Sequence, residues 1–299
     1  NELIPVDEET CAYVTGVIKA SLVKRFEALE PMGYVYIDPE LKNYAVPLAQ
    51  RAASKALKTV ARGSRLEIPE GDTIRFFLWW KEGMVDGKET GRVDVDLSAV
   101  IYDENWGYRE HISYTNLKSS EFNSYHSGDI TSAPKGASEF IDIDIPSALN
   151  SGSRYVVMSL NCYTHHPYCN FAGWMMRQKP NSGEVYEPKT VDQKIDITAD
   201  TTIAIPVILD LKTRQFIWTD LALSKNPYWY NNVEGNQKGM VLLGQAMANL
   251  RKPNLFDLFE AHALARGTLV EDKEKADKVF GINDGITPFD TDVIMSEFL

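Results

Sequence analysis

The stretch Val93-Asp94-Val95-Asp96-Leu97-Ser98-Ala99-Val100-Ile101 decides how the rest of the chain is read. Val93, Val95, Leu97, Ala99 and Ile101 alternate with Asp94, Asp96 and Ser98, the period-two pattern of a half-buried β-strand. Carboxylates two residues apart on a strand point the same way, roughly 6.5–7 Å apart, and repel unless positive charge lies between them. More acid follows: Asp129 in His126-Ser127-Gly128-Asp129, then Glu139, Asp142 and Asp144. From Asp94 to Asp144 there are ten Asp/Glu against three Lys/Arg, a net of −7 in a chain whose total is −11. About a sixth of the sequence therefore carries most of the excess charge. Acid concentrated on a folded sheet invites a hard cation with oxygen ligands, and calcium is the natural one. The competing reading is a solvated strand face. Asp94-x-Asp96 is not the start of an EF-hand loop, so any site must be assembled from separate loops.

Outward from this strand the period stays mainly two from Arg65 to Leu223. Arg75-Phe76-Phe77-Leu78-Trp79-Trp80 sets large side chains on both faces. Tyr155–Leu160 is a further buried strand, and Thr202–Leu211 and Gln215–Leu221 are late strands joined by a turn at 212–214. Short strands separated by turn signals indicate a β-sandwich.

Asp94-Val-Asp96-Leu-Ser98, Tyr114-Thr-Asn116-Leu117-Lys118, His126-Ser-Gly128-Asp129 and Glu139-Phe-Ile-Asp142-Ile-Asp144 together resemble the motifs of the tellurium-resistance TerD family, in order and at similar spacing. The resemblance covers about residues 60–223. It implies a calcium-binding β-sandwich, with Asp94, Asp96, Asn116, Asp129 and Glu139 as ligands and a main-chain contribution from the loop that Gly128 allows to turn. The chain departs from the family at Ile130, where the loop has Asn, and at the longer segment Ser132–Ser138.

Both ends read as helical. Asp7 caps a helix over 7–29, with Val14, Val17, Ile18, Leu22, Phe26 and Leu29 at helical spacing. Tyr34–Ile37 is a short strand. A helix from Pro47 to about Ala61 carries a basic stripe of Arg51, Lys55, Lys58, Arg62 and Arg65: a solvated face, or a docking surface for an acidic partner, phosphate-bearing lipid or nucleic acid. After the aromatic run Pro227–Asn232, helices are expected over about 240–252, 254–267, Glu271–Phe280 and Asp290–Phe298. The expected architecture is mainly β: an N-terminal helical extension (1–61), a sandwich (62–225) and a C-terminal helical extension (226–299).

Length and composition are those of a soluble globular protein. A pI near 5.0 argues against a dedicated nucleic-acid binder. Three cysteines suggest a reducing, cytoplasmic setting, and no run approaches the ~18 apolar residues of a membrane span. Cys162, His165, His166 and Cys169 are zinc-type ligands, but one eight-residue loop is poorly suited to wrapping a tetrahedral ion. His126 next to the acidic loop is the candidate base of a metal-dependent hydrolase, although Ser98 and Ser127 have no identifiable base or orienting partner and no P-loop, nucleophile elbow or dinucleotide fingerprint is present. The expectation is a non-enzymatic calcium-binding scaffold of a bacterial stress-response or defence assembly, meeting protein partners or its own copies through the helical extensions. The alternatives are a structural subunit of a large assembly and the hydrolase.

Overall fold

The computed structural model describes residues 5–48, 60–68, 70–85, 88–164, 171–177, 193–196, 203–222 and 233–299. In chain order the elements begin with α1 (Glu8–Phe26), β1 (Gly33–Ile37), β2 (Arg65–Glu67), β3 (Thr73–Trp80), β4 (Met84–Val85) and β5 (Lys88–Glu89). Then come β6 (Val95–Asp103), β7 (Tyr108–Ile112), β8 (Ser124–His126), β9 (Ala137–Asp144), α2 (Ile145–Asn150) and β10 (Ser153–Cys162). The chain continues through β11 (Phe171–Arg177), β12 (Gln193–Asp196), β13 (Ile203–Asp210) and β14 (Gln215–Ala222). It ends with α3 (Val233–Asn249), α4 (Leu255–Arg266), β15 (Gly267–Leu269), β16 (Lys278–Phe280) and α5 (Thr291–Glu297). The protein is mainly β with helices at both ends. No described helix is long and apolar enough to cross a membrane.

Two compact units divide the chain: Arg51–Arg251, and the two ends Asn1–Gln50 with Lys252–Leu299. The larger unit is the sandwich. One sheet runs β2-β14-β13-β10-β6-β7 and the other β12-β11-β3-β9-β8, all neighbours antiparallel. Phe76 of β3 meets Phe216 of β14 edge-on at 5.8 Å, as facing sheets interdigitate. On the six-stranded sheet Val100, Tyr102, Val157, Ile208 and Ile217 form a core with Met240 and Met247 of α3. Trp106, in the left-handed region at φ 64°, stacks on Tyr155 at 4.3 Å and lies so close to α3 that a Cβ at Gly244 would collide with its indole. β6 is thus buried on both faces, which the alternating sequence did not suggest: Asp94 is only 5% exposed, and Asp96 and Ser98 are also buried.

In the other unit β1 is the middle strand of a parallel three-stranded sheet, order β15-β1-β16. Its core joins Val35, Ile37 and Leu41 from the start of the chain to Leu255, Phe259, Phe280 and Phe298 from its end. The two terminal segments, expected as separate extensions, share one core here. The helix expected over Glu271–Phe280 is replaced by a short 3-10 turn at Lys273–Lys275 followed by β16. Helical spacing loses because Lys278, Val279 and Phe280 pair in register with Val35, Tyr36 and Ile37, a long-range ladder that local propensity does not encode. α1 forms as expected, with the Asp7 carboxylate accepting from the Thr10 N–H at 2.8 Å. α4 likewise starts where Asn254 accepts from the Asp257 N–H at 2.8 Å. The predicted 47–61 helix falls mostly on residues 49–59, outside the described residues.

Candidate metal centre

Asp94, Asp96 and Asp129 come together: each offers a carboxylate oxygen within 4.8 Å of the others. Asp94 and Asp96 are placed by β6 and its ladder to β10. The Asp94 carbonyl accepts from the Tyr163 N–H at 3.0 Å, and the Asp94 N–H donates to Thr164 Oγ1 at 3.1 Å. Asp96 lies opposite Asn161 in that register, and Asn161 Nδ2 donates to Asp96 Oδ2 at 3.2 Å. Asp129 is exposed and arrives from the loop after β8.

That loop is held by a side-chain device at the sheet edge. β7 pairs with β6 only from Ala99 to Tyr102. Farther along, the Leu97 N–H donates to Glu139 Oε2 at 3.1 Å, and the Leu97 carbonyl meets His126 Nε2 at 3.1 Å. Two side chains of the facing sheet thus stand in for a missing strand. Glu139 Oε1 also accepts from the Ile130 N–H at 2.8 Å, and the Gly128 N–H donates to His126 Nδ1 at 3.0 Å, at a φ of 113° that favours glycine. Because a carbonyl only accepts and a backbone N–H only donates, His126 is the neutral tautomer with its proton on Nε2. Burial also pushes its pKa down. Both ring nitrogens are occupied, so His126 is tied into the scaffold rather than poised as a free base.

The electrostatics single out Asp94, Asp96 and Glu139. Burial, with Asp94 and Asp129 nearby, pushes Asp96 up to about 7. Burial also raises Asp94, against the Arg92 guanidinium 3.4 Å from its Oδ2. Glu139 is pushed up to about 8, again mainly by burial, although two backbone N–H groups pull the other way. Among the described residues, Asp94 Oδ1 and Asn161 Oδ1 are buried oxygens with no hydrogen-bond donor. An orphan buried oxygen is costly, and two of them beside clustered carboxylates form a set of hard oxygen donors that fits a divalent cation.

The residues named from the sequence therefore part company. Asp94, Asp96 and Asp129 are brought together. Glu139 sits beside them with both oxygens engaged by backbone, and Gly128 shapes the loop. Asn116 is drawn into a different network: its Nδ2 donates to the His111 carbonyl at 2.7 Å and to Glu110 Oε1 at 3.3 Å. Asn161 was missed; the signal was a polar residue ending the apolar run Tyr155–Leu160. Of the four zinc-type residues in the 162–169 stretch, judged poorly suited to a tetrahedral ion, Cys162 is buried in β10, whereas His165, His166 and Cys169 lie outside the described residues. From the basic stripe, Arg62 donates to the Asp220 carbonyl and Arg65 to that of Ala248, both at 2.6 Å; Arg51, Lys55 and Lys58 lie outside the described residues.

No protein-family model matches the sequence, and no curated protein matches it either. Among solved structures, the protein of unknown function SAV2460 aligns with 52% of this chain and 94% of its own, at 14% identity and a TM-score of 0.36. A homologue of the telluride resistance protein TerD, SCO6318 from Streptomyces coelicolor A3(2), aligns with 53% of this chain and 94% of its own, at 10% identity and a TM-score of 0.40.

Proposed function

We propose that this chain is a non-enzymatic calcium-binding interaction protein of the tellurite-resistance stress-response type. One observation carries the metal part: three carboxylates within 4.8 Å of one another, beside the undonated buried oxygens of Asp94 and Asn161. A cation there would satisfy those oxygens and offset the repulsion. Asp94, Asp96 and Asp129 would hold it, with the Asn161 Oδ1 as a neutral fourth donor. Calcium suits the set better than magnesium, since it accepts six to eight oxygens in flexible geometry whereas magnesium demands a near-ideal octahedron. A bound ion would link the exposed Asp129 loop to β6, so that calcium fixes a surface which a partner then reads. The scaffold role in a stress or defence assembly rests on the motif resemblance.

The test is calorimetric titration with calcium and with magnesium, backed by thermal unfolding, for wild type and Asp94→Asn/Asp96→Asn. A ligand bound only by the native state at a hundredfold excess over Kd contributes about 2.7 kcal/mol. At 2–4 °C per kcal/mol for a unit of this size, the shift is roughly 5–10 °C. A calcium-selective shift absent from the double variant is expected. No heat and no shift at millimolar calcium would overturn the reading.

A further inference from the structure

α1 has no buried residue anywhere along its 19 residues. It leans on α4 by one side only: Lys19 Nζ pairs with Glu260 at 2.7 Å, Phe26 stacks on His262 at 3.7 Å, and Gly16, Ala20 and Val23 face Leu264 across a shallow groove. Its other side carries Val14 at 48%, Val17 at 52%, Ile18 at 55% and Leu22 at 37% exposure. An apolar helix face left to water is a face for a partner.

The sequence along that face indicates which partner. Asp7 at the N-cap, then Cys11, Val14, Ile18, Ser21 and Arg25 follow one another in steps of four, three, four, three and four, the spacing of a two-helix seam with Val14 and Ile18 as its apolar centre and charges at its ends, and all are exposed. The seam reads the same from either end about Gly16, so in an antiparallel pair Val14 of one copy meets Ile18 of the other and Cys11 meets Ser21. The charges agree with this register. The first turn is acidic, with Glu8 and Glu9 following Asp7, and the last is basic, with Lys24 and Arg25. Antiparallel pairing sets Asp7 of each copy against Arg25 of the other, whereas parallel pairing sets like charge on like. A self-complementary patch of this kind builds a closed two-fold interface.

We infer that a second copy of this chain covers the exposed face of α1, through antiparallel α1–α1 pairing centred on Gly16. One helix of about 28 Å offers little area beside the ~1,600 Å² of a standard interface, so the dimer is concentration-dependent, with Kd on the order of micromolar.

The experiment is sedimentation velocity of the full chain over a concentration series, for wild type, Ile18→Glu and Arg25→Glu, with circular dichroism to confirm folding. Wild type is expected to dimerise, and each variant to weaken Kd at least tenfold. Register is read separately. With oxidised glutathione, Ser21→Cys should give a disulfide-linked dimer through the native Cys11, whereas Glu9→Cys, off the seam, should not. A wild type that stays monomeric to ~100 μM, a dimer insensitive to both charge variants, or equal cross-linking of the two cysteine variants would overturn the proposal. So would a monomer that instead co-sediments with anionic vesicles, because the face would then belong to lipid.

Discussion

Two buried acid clusters in the sandwich solve the same problem in opposite ways. Glu110 of β7 is buried, yet it accepts from Ser119 Oγ at 2.5 Å, the Ser120 N–H at 3.0 Å, Ser120 Oγ at 3.1 Å and Asn116 Nδ2. Burial raises its pKa, but those donors outweigh it and the net shift is downward. At Asp94 and Asp96 the same burial wins, because few donors come and the neighbours are themselves acidic. Asp142 shows a third solution. Arg75 grips both its oxygens, at 2.6 and 2.7 Å, with its guanidinium 3.6 Å above the Phe140 ring. A buried carboxylate saturated by donors or gripped on both oxygens by a fixed countercharge is architecture; Asp94 and Asp96, with one contact from Arg92, one donor from Asn161 and an Asp94 oxygen left without any, are set to receive something.

The largest expected effect comes from breaking the fixed pair. Arg75→Met should destabilise the sandwich by about 3–5 kcal/mol, since Asp142 keeps its burial and loses its countercharge. Urea unfolding measures this, and a loss under 1 kcal/mol would show that Asp142 was never held by Arg75. Next comes the donor-saturated cluster. Glu110→Gln turns an amide N–H₂ toward Ser119 and Ser120, which already donate, and should cost about 1–3 kcal/mol. Its calcium response should match wild type. If Glu110→Gln lost calcium binding, the two clusters would be one site and the contrast would collapse.

How much of this contrast could be read beforehand follows from what each residue's position depends on. Asp94 and Asp96 were legible because a strand's period fixes two side chains on one face without any knowledge of the partner strand. The N-cap at Asp7 was legible for the same local reason. Asn116 was misplaced because its amide follows the closure of the Ser113–Asn116 bridge onto Glu110, and nothing in the spacing fixes that closure. Asn161 was invisible because facing Asp96 is a matter of β6–β10 register, set across 65 residues. The burial of the aspartates was equally hidden. The face they share carries Val100 and Tyr102 under α3, a helix from more than a hundred residues later. The strand pattern fixed which residues share a face, and tertiary packing decided whether that face meets water.

The smallest and most discriminating effect is a slope with pH. Asp96 and Glu139 have folded pKa values near 7 and 8, above ordinary values of 3.8 and 4.5. Between those limits the folded chain holds protons that the unfolded chain has released. The contribution of these two groups to stability in EDTA should therefore fall as pH rises from about 4 to about 8, and flatten above, offset below about pH 6.5 by His126 and His262, whose lowered pKa values act in the opposite direction. Asp96→Asn removes one of the two groups. It should reduce the slope and raise the apo Tm at pH 8 by a few degrees, a stabilising substitution at a buried polar site. Saturating calcium should also reduce the slope in wild type, because a bound cation replaces the proton on Asp96 while Glu139 keeps its own, and should do nothing in Asp96→Asn. Glu110→Gln gives the contrast, because a carboxylate held below its usual range adds no fall over the same pH interval. Thermal unfolding at pH 5, 6, 7 and 8, with and without calcium, decides between the readings. A wild-type slope unchanged by Asp96→Asn would mean that the acidic cluster is not where the excess protons reside, and its claim to a cation would go with it.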